Sequence, residues 1–291
     1  MALKPMAATL SGKVAFITGA ARGQGRAHAQ LLAEAGADIV GLDLCDQLSS
    51  VGYPMATQDD LAETVRLVQA AGRRMLAVTG DVRERADVEK AVRAGLDAFG
   101  SLDVVVANAG IMAFGLKPYP HSQQSWRDTL DVNLTGVWNT LQVCARAMVD
   151  QGRGGAIVLI SSSAGIRPSP TNWDGGFDGY VAAKFGVVGL MRTYAGALAH
   201  HSIRVNTVHP TATATQMVMN EFFPKFAAEN GPLMRDARNG LPVDLVDAVD
   251  ISRAVLYLVA DSGRYVTGQV LAVDAGVTTI PGASAVFADE V

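Results

Sequence analysis

The chain has 291 residues, 49% apolar and 18% charged, which suits a globular protein with one large domain or two small ones. A net charge of −4 argues against a nucleic-acid surface, and no apolar run approaches the ~20 residues of a membrane-spanning helix. Cys45 and Cys144 are too few for a disulfide framework or a metal site, and residues 1–10 lack the apolar centre of a secretory leader, so a soluble cytoplasmic protein that binds neither nucleic acid nor membrane is expected.

Candidate strands at 14–18, 38–42, 75–78, 103–107, 156–161, 204–209 and 270–273 alternate with helical patterns around 26–35, 59–70, 85–99, 126–149, 180–200 and 246–258. Buried β-branched strands separated by helices mean a parallel sheet covered on both faces and joined by right-handed crossovers. No repeat or low-complexity linker interrupts the series. The expected fold is therefore a single doubly wound α/β domain over 1–291, with a seven-stranded parallel sheet and a core at about 12–276.

After the first strand comes Gly19-Ala20-Ala21-Arg22-Gly23-Gln24-Gly25. Glycines there permit a tight turn and bring backbone N–H groups against a pyrophosphate, whose charge the helix N-terminus favours. The spacing is G-x-x-x-G-x-G, and a glycine-rich turn without a ligand is the plain alternative. Asp43 ends the second strand, where a carboxylate accepts hydrogen bonds from adenosine ribose hydroxyls and repels a 2′-phosphate. Arg22 pulls the other way, since a guanidinium pairs with that phosphate. Asp43 meets the ribose directly, so NAD is favoured over NADP. The segment 44–57, with Gly52-Tyr53-Pro54, exceeds the usual ~2–6 residues of an α/β connection. Leaving Asp43, it must run near the adenosine half of the cofactor, so it is expected to close over bound NAD; a surface excursion that touches nothing is the alternative.

Asp81-Val82 after the third strand suit an adenine amino group, and Asn108-Ala109-Gly110 after the fourth offer small residues beside the cofactor; turn chemistry explains both equally well. Asn133 lies inside a predicted helix, where Asn is ordinarily a surface or hydrogen-bonded core residue. Ser162 stands between Ser161 and Ser163 at the end of the fifth strand, where a serine also caps turns. Tyr180 and Lys184 are four apart and share a helix face. A free tyrosine has a pKa of about 10, and a nearby ammonium favours its phenolate. With Ser162 holding the oxygen of an alcohol or ketone, the three residues point to hydride-transfer chemistry. His200, His201 and His209 have no zinc spacing and read as structural, so no metal is expected; Cys144 reads as core. The long segment 211–244 carries Met217, Met219, Phe222, Phe223 and Phe226 at the carboxyl end of a strand, where ligands bind. It suggests an apolar substrate, with core or subunit packing as the alternative.

Together these residues resemble the short-chain dehydrogenase/reductase family over roughly 12–276. Its cofactor turn matches Gly19, Gly23 and Gly25, its structural motif matches Asn108-Ala109-Gly110, and its catalytic residues fall on Asn133, Ser162, Tyr180 and Lys184. The resemblance implies a Rossmann-type domain with Tyr180 as acid/base and Ser162 orienting the substrate oxygen. Lys184 would bind the nicotinamide ribose and depress the Tyr180 pKa, while Asn133 would hold a relay water through a helix distortion. Arg22, Gln24, Asp43, Asp81, Val82, Pro210, Thr211, Thr213 and Thr215 would surround the cofactor, Thr215 near the nicotinamide carboxamide. Two departures matter: the Ser162-to-Tyr180 gap is longer than usual, so 167–179 is expected to enlarge the substrate-pocket wall, and His209-Pro210-Thr211 replaces the common Pro-Gly. The insertion 44–57, His-Pro-Thr and Tyr-Val-Ala-Ala-Lys are similar to the mycofactocin-associated, carveol-dehydrogenase-like branch, which implies a tightly held NAD reoxidised by a mycofactocin-type partner. The family further implies a homotetramer with the Tyr180 helix in one interface. The expected activity is NAD-dependent interconversion of an apolar, terpene-like or alicyclic secondary alcohol and its ketone. An NADPH-dependent carbonyl or 3-oxoacyl reductase is one rival; a catalytically silent NAD-binding regulator is another, although it has no need of Ser162, Tyr180 and Lys184 together.

Overall fold

Seven strands, β1 (Val14–Thr18), β2 (Asp38–Asp43), β3 (Met75–Thr79), β4 (Val104–Ala107), β5 (Gly155–Ile160), β6 (Ile203–Pro210) and β7 (Val270–Val273), form one parallel sheet in the order β3-β2-β1-β4-β5-β6-β7. The computed structural model describes residues 9–167 and 169–279. The expectation of no leader therefore falls mostly on residues 1–8, outside the described residues, as does Pro168 of the lengthened wall. All of β1 and β4 is buried, as a sheet covered on both faces requires. On one face Val14 and Phe16 pack with residues of α3 (Arg85–Phe99), α5 (Gly136–Gln151) and α6 (Gly175–Leu198); Cys144 of α5 lies in this core. On the other, Ala15 and Ile17 pack with α1 (Gly23–Glu34), α2 (Gln58–Ala70) and α9 (Ala248–Val259). Among the described residues no helix is long and apolar enough to cross a membrane.

Strand order reverses between β1 and β4, which opens a crevice at their carboxyl ends. Asn108 sets its width: Nδ2 donates to Thr18 O (2.9 Å) and Gly19 O (3.2 Å), and the Asn108 and Ala109 N–H groups donate to Thr18 Oγ1.

Three elements differ from the sequence reading. The helix expected over 126–149 is α4 (Ser122–Leu130), a π turn at Asp131–Thr135 and then α5. One extra residue in a turn leaves the apolar pattern nearly intact, so periodicity does not register it. The helix expected from 180 begins at Gly175, where the Asp174 side chain caps Gly176 N–H. Gly175, Gly176 and Gly179 are weak helix formers and hid this start. Within 211–244 the chain forms two short helices, α7 (Phe223–Glu229) and α8 (Gly231–Asp236).

His28 joins α1 to α9, with Nδ1 2.7 Å from Ser252 Oγ, and its fully buried Nε2 has no partner among the described residues. Burial pushes its pKa from 6.5 to about 3, and burial likewise holds His209 at about 4. Below pH 6.5 the unfolded chain binds protons that the folded chain refuses. The stability from neutral burial is thus complete above pH 6.5 and is lost as pH falls toward the folded values. By pH 4.5 the loss is roughly 2–3 kcal/mol at each histidine. Urea unfolding at pH 7.5 and 4.5 is expected to show it, and His28→Asn should abolish about half the difference. An acid sensitivity unaltered by His28→Asn contradicts this account.

Candidate active site

A cleft of about 170 Å3 lies over the carboxyl ends of β1 to β4, lined by Gly19, Arg22, Gly23, Gln24, Gly25, Asp43, Asp81, Val82, Asn108, Ala109 and Gly110, with Tyr180 and Lys184. It fits a dinucleotide in three ways. The first turn of α1 has no side-chain cap, so its N–H groups are open to an anion. A β-carbon on Gly25 would lie 1.9 Å from Gly19 O, so only glycine lets helix and turn meet there. Gln24 Oε1 is buried without a partner among the described residues, where the cleft adjoins a second cavity.

Asp43 accepts from Ala21 N (2.8 Å) and Cys45 N (3.2 Å). Burial raises its pKa above the ordinary carboxylate value, and these two N–H groups and the Arg22 charge pull it back. Arg22 Nη2 donates to Pro54 O (2.6 Å), which ties the guanidinium to the insertion 44–57 through one of its five N–H donors. Gln47 braces that insertion: Nε2 donates to Leu48 O and Val51 O, and Oε1 accepts from Met55 N. Leu48, Tyr53 and Met55 line the cleft. Burial pushes Tyr53 up to about 12, so its hydroxyl stays neutral and accepts from Met112 N (3.2 Å). A segment so placed is a wall of the cleft and not a free excursion. Asp81 is already paired, accepting from Arg83 Nε (2.8 Å) and Arg83 N (2.9 Å). Asn139 of α5, which the sequence did not single out, holds the Val82 carbonyl (2.9 Å).

At the inner end of the cleft Lys184 Nζ donates to Ile160 O (3.0 Å) and lies 5.5 Å from the Tyr180 ring centroid. Burial lowers Lys184 to about 8. The family resemblance gives Lys184 the task of depressing the Tyr180 pKa, yet in the protein alone burial dominates and Tyr180 titrates above its ordinary value, with Ser162 pulling back. Desolvation disfavours both charged forms, which adjacency in sequence does not reveal. Ser162 Oγ accepts from Ala164 N (3.1 Å), leaving its proton free for another acceptor. Its carbonyl accepts from His209 Nδ1 (2.7 Å) and Gly165 N (2.9 Å). His209, expected to be merely structural, thus fixes the serine; its Nε2 meets Thr207 Oγ1 at 2.8 Å. Asn133 sits in the π turn, with Oδ1 accepting from Ile111 N (2.8 Å) and Nδ2 donating to Ile111 O (2.9 Å). A β-carbon on Gly110 would lie 3.2 Å from Asn133 Oδ1 and 3.7 Å from Lys184 Nζ, so these groups converge.

The second cavity, about 180 Å3, shares Gln24, Ser161, Tyr180, Thr215 and Met217 with the cleft and adds Ser162. Its walls are Met112, Phe114, Phe177, Phe226, Leu233 and Met234. Phe114 stands edge-on to Phe177 (5.4 Å) and Tyr180 (5.6 Å). Phe226 both lines the cavity and is buried in a small apolar cluster. Pro210, Thr211 and Thr213 line the second cavity, which meets the cleft at Tyr180, and Thr215 reaches both. Phe114 and Phe177 carry no signal in the sequence, because their segments have no periodicity.

The short chain dehydrogenase family profile matches residues 13–223. The chain is 41% identical to (−)-trans-carveol dehydrogenase of Rhodococcus erythropolis over 93% of its length and 99% of that protein. It also matches the crystal structure of carveol dehydrogenase from Mycobacterium avium in complex with NAD, at TM-score 0.85 and 44% identity, covering 93% of this chain and 99% of that one. A short chain dehydrogenase from Mycobacterium paratuberculosis bound to NAD matches at TM-score 0.86 and 42% identity, with the same coverage.

Proposed function

Since the chain belongs to the short-chain dehydrogenase family, we propose that it is an NAD-dependent oxidoreductase that interconverts a secondary alcohol and its ketone. The observation that carries this reading is the meeting of Tyr180, Lys184 and the Ser162 side of the second cavity at the inner end of the cleft. NAD, when bound, supplies the hydride acceptor. Tyr180 as phenolate takes the hydroxyl proton, Ser162 donates a hydrogen bond to the reacting oxygen, and Lys184 steadies the phenolate charge. The aromatic walls keep water away from this transfer. Asp43 in the cleft favours NAD over its 2′-phosphorylated form, whose charge it would repel.

A cavity of about 150 Å3 accepts one benzene ring. The 180 Å3 here suits a single alicyclic or terpene-like ring, in keeping with the carveol dehydrogenase relative. The insertion 44–57 acts as a lid that holds NAD between turnovers, with electrons passed to a mycofactocin-type partner. Exposed Trp126, Trp138 and Phe185 on α4 to α6, and Val249, Tyr257 and Val270 on α9 and β7, give two apolar faces for a homotetramer. Both cysteines are free, which suits the cytoplasm.

The test is to denature purified protein and identify the nucleotide released: NAD is expected, and NADP overturns the cofactor assignment. Alicyclic alcohols should be oxidised slowly with added NAD and faster with an artificial electron acceptor. Deleting 47–56 is expected to speed NAD dissociation at least tenfold; an unchanged off-rate sinks the lid.

A further inference from the structure

We infer that Arg167 provides a second polar subsite in the substrate cavity, one that receives a neutral acceptor oxygen of the substrate other than the reacting one. The inference rests on the proposed alcohol-oxidising function and narrows its substrate class.

A guanidinium has five N–H donors in a planar fork. Arg167 Nη1 spends both of its protons, on Asp236 O (3.0 Å) and Val277 O (2.9 Å), and Nη2 spends one on the Asp236 carboxylate. The Nε–H and the second Nη2–H have no partner among the described residues. These two lie side by side on one edge of the group and point the same way, the arrangement that binds an oxygen with two donors. Arg167 lines the cavity and its side chain is only 21% exposed.

Around it the cavity changes character. Arg167, Ser169, Asp236 and Thr278 line the second cavity but not the cofactor cleft, whereas Tyr180 lines both. Ser162, which would hold the reacting oxygen, shares that cavity, as do the walls built of Phe114, Phe177, Phe226 and Leu233. A pure hydrocarbon ring bound here would strip water from two donors and return nothing, which is costly. An oxygen on the substrate replaces that water. The Asp236 carboxylate already neutralises Arg167 and repels an anion, so the oxygen belongs to a ketone, ether or hydroxyl and not to a carboxylate. The substrate is thus an alicyclic alcohol that carries a second oxygen besides the reacting one.

The experiment compares two alcohols of equal shape, 4-methoxycyclohexanol and 4-ethylcyclohexanol, on the holoenzyme with an artificial electron acceptor. The wild type is expected to favour the methoxy compound about tenfold or more in kcat/KM, chiefly through KM, as a hydrogen bond to a charged group allows. Arg167→Met should bring the ratio close to one. Arg167→Lys keeps a cation against Asp236 but lacks the fork, so it should retain only part of the preference, and it reads the same ratio if Arg167→Met does not fold. A wild-type ratio near one overturns the subsite. So does a preference that survives either substitution undiminished, which would make Arg167 only a clasp between the 167–179 wall and α8. A wild type that oxidises neither alcohol instead rejects the proposed function, and this inference with it.

Discussion

Tyr180→Phe is expected to lower alcohol oxidation by about 10²–10⁴ while leaving NAD affinity within a few-fold of wild type. The substitution removes one oxygen and little else. The ring keeps its edge-on contact with Phe114 at 5.6 Å, and Lys184 keeps its bond to Ile160 O at 3.0 Å, because neither involves the phenol oxygen. The pH profile separates loss of a base from a general disturbance. Burial holds Tyr180 above its ordinary pKa, so at neutral pH the protein alone carries the phenol and not the phenolate. Oxidation requires the phenolate, so kcat/KM should rise with pH from 6 upward. Lys184, held down at about 8, gives up its charge in the alkaline range and should bend the curve there. In Tyr180→Phe the rise should vanish and leave a low, flat profile. Near-normal turnover in that variant, or an unchanged rise, would remove Tyr180 from the role of base.

The parts of this site that are local in sequence were legible in it. Gly19, Gly23 and Gly25 sit where a strand passes into a helix, Asp43 ends the next strand, and Tyr180 and Lys184 share a helix face because they are four apart. What depends on distant segments was not legible. The second cavity draws Phe114, Phe177, Phe226 and Leu233 from segments that approach each other only through the fold. The grip of His209 on Ser162 joins neighbouring strands through a side chain that sequence alone assigns to the core. Pro210, Thr211 and Thr213, which the family resemblance assigns to the cofactor, line the cavity that adjoins the cleft, and which wall they form there depends on the turn after β6. Electrostatics was the least legible of all. Spacing shows that an ammonium and a phenol are close, whereas their titration is set by how much water each has lost.

Gly25→Ala is expected to weaken NAD binding at least tenfold and to destabilise the fold, although alanine is the better helix former by about 1 kcal/mol. The backbone of Gly25 is not left-handed, so conformation is not the obstacle; space is. A β-carbon there would lie 1.9 Å from Gly19 O, 2.7 Å from Gly19 C and 2.8 Å from Asn108 Nδ2. The atoms it meets cannot yield cheaply. Gly19 N donates to Leu42 O (2.8 Å), and Asn108 Nδ2 ties Gly19 O to Thr18 O, so pushing the turn aside breaks the links that set the crevice between β1 and β4. Overpacking of this kind costs about 1–3 kcal/mol, which more than cancels the gain in helix propensity. The same displacement moves the first N–H groups of α1 away from the position at which a pyrophosphate meets them, so affinity falls with stability. Gly196→Ala is the control: it lies in α6 with nothing within 4 Å of an added β-carbon, and the gain in propensity should appear there as higher stability. Thermal unfolding and NAD titration of both variants decide the matter. If Gly25→Ala binds NAD as the wild type does, the close approach of helix and turn is not what builds the cofactor site.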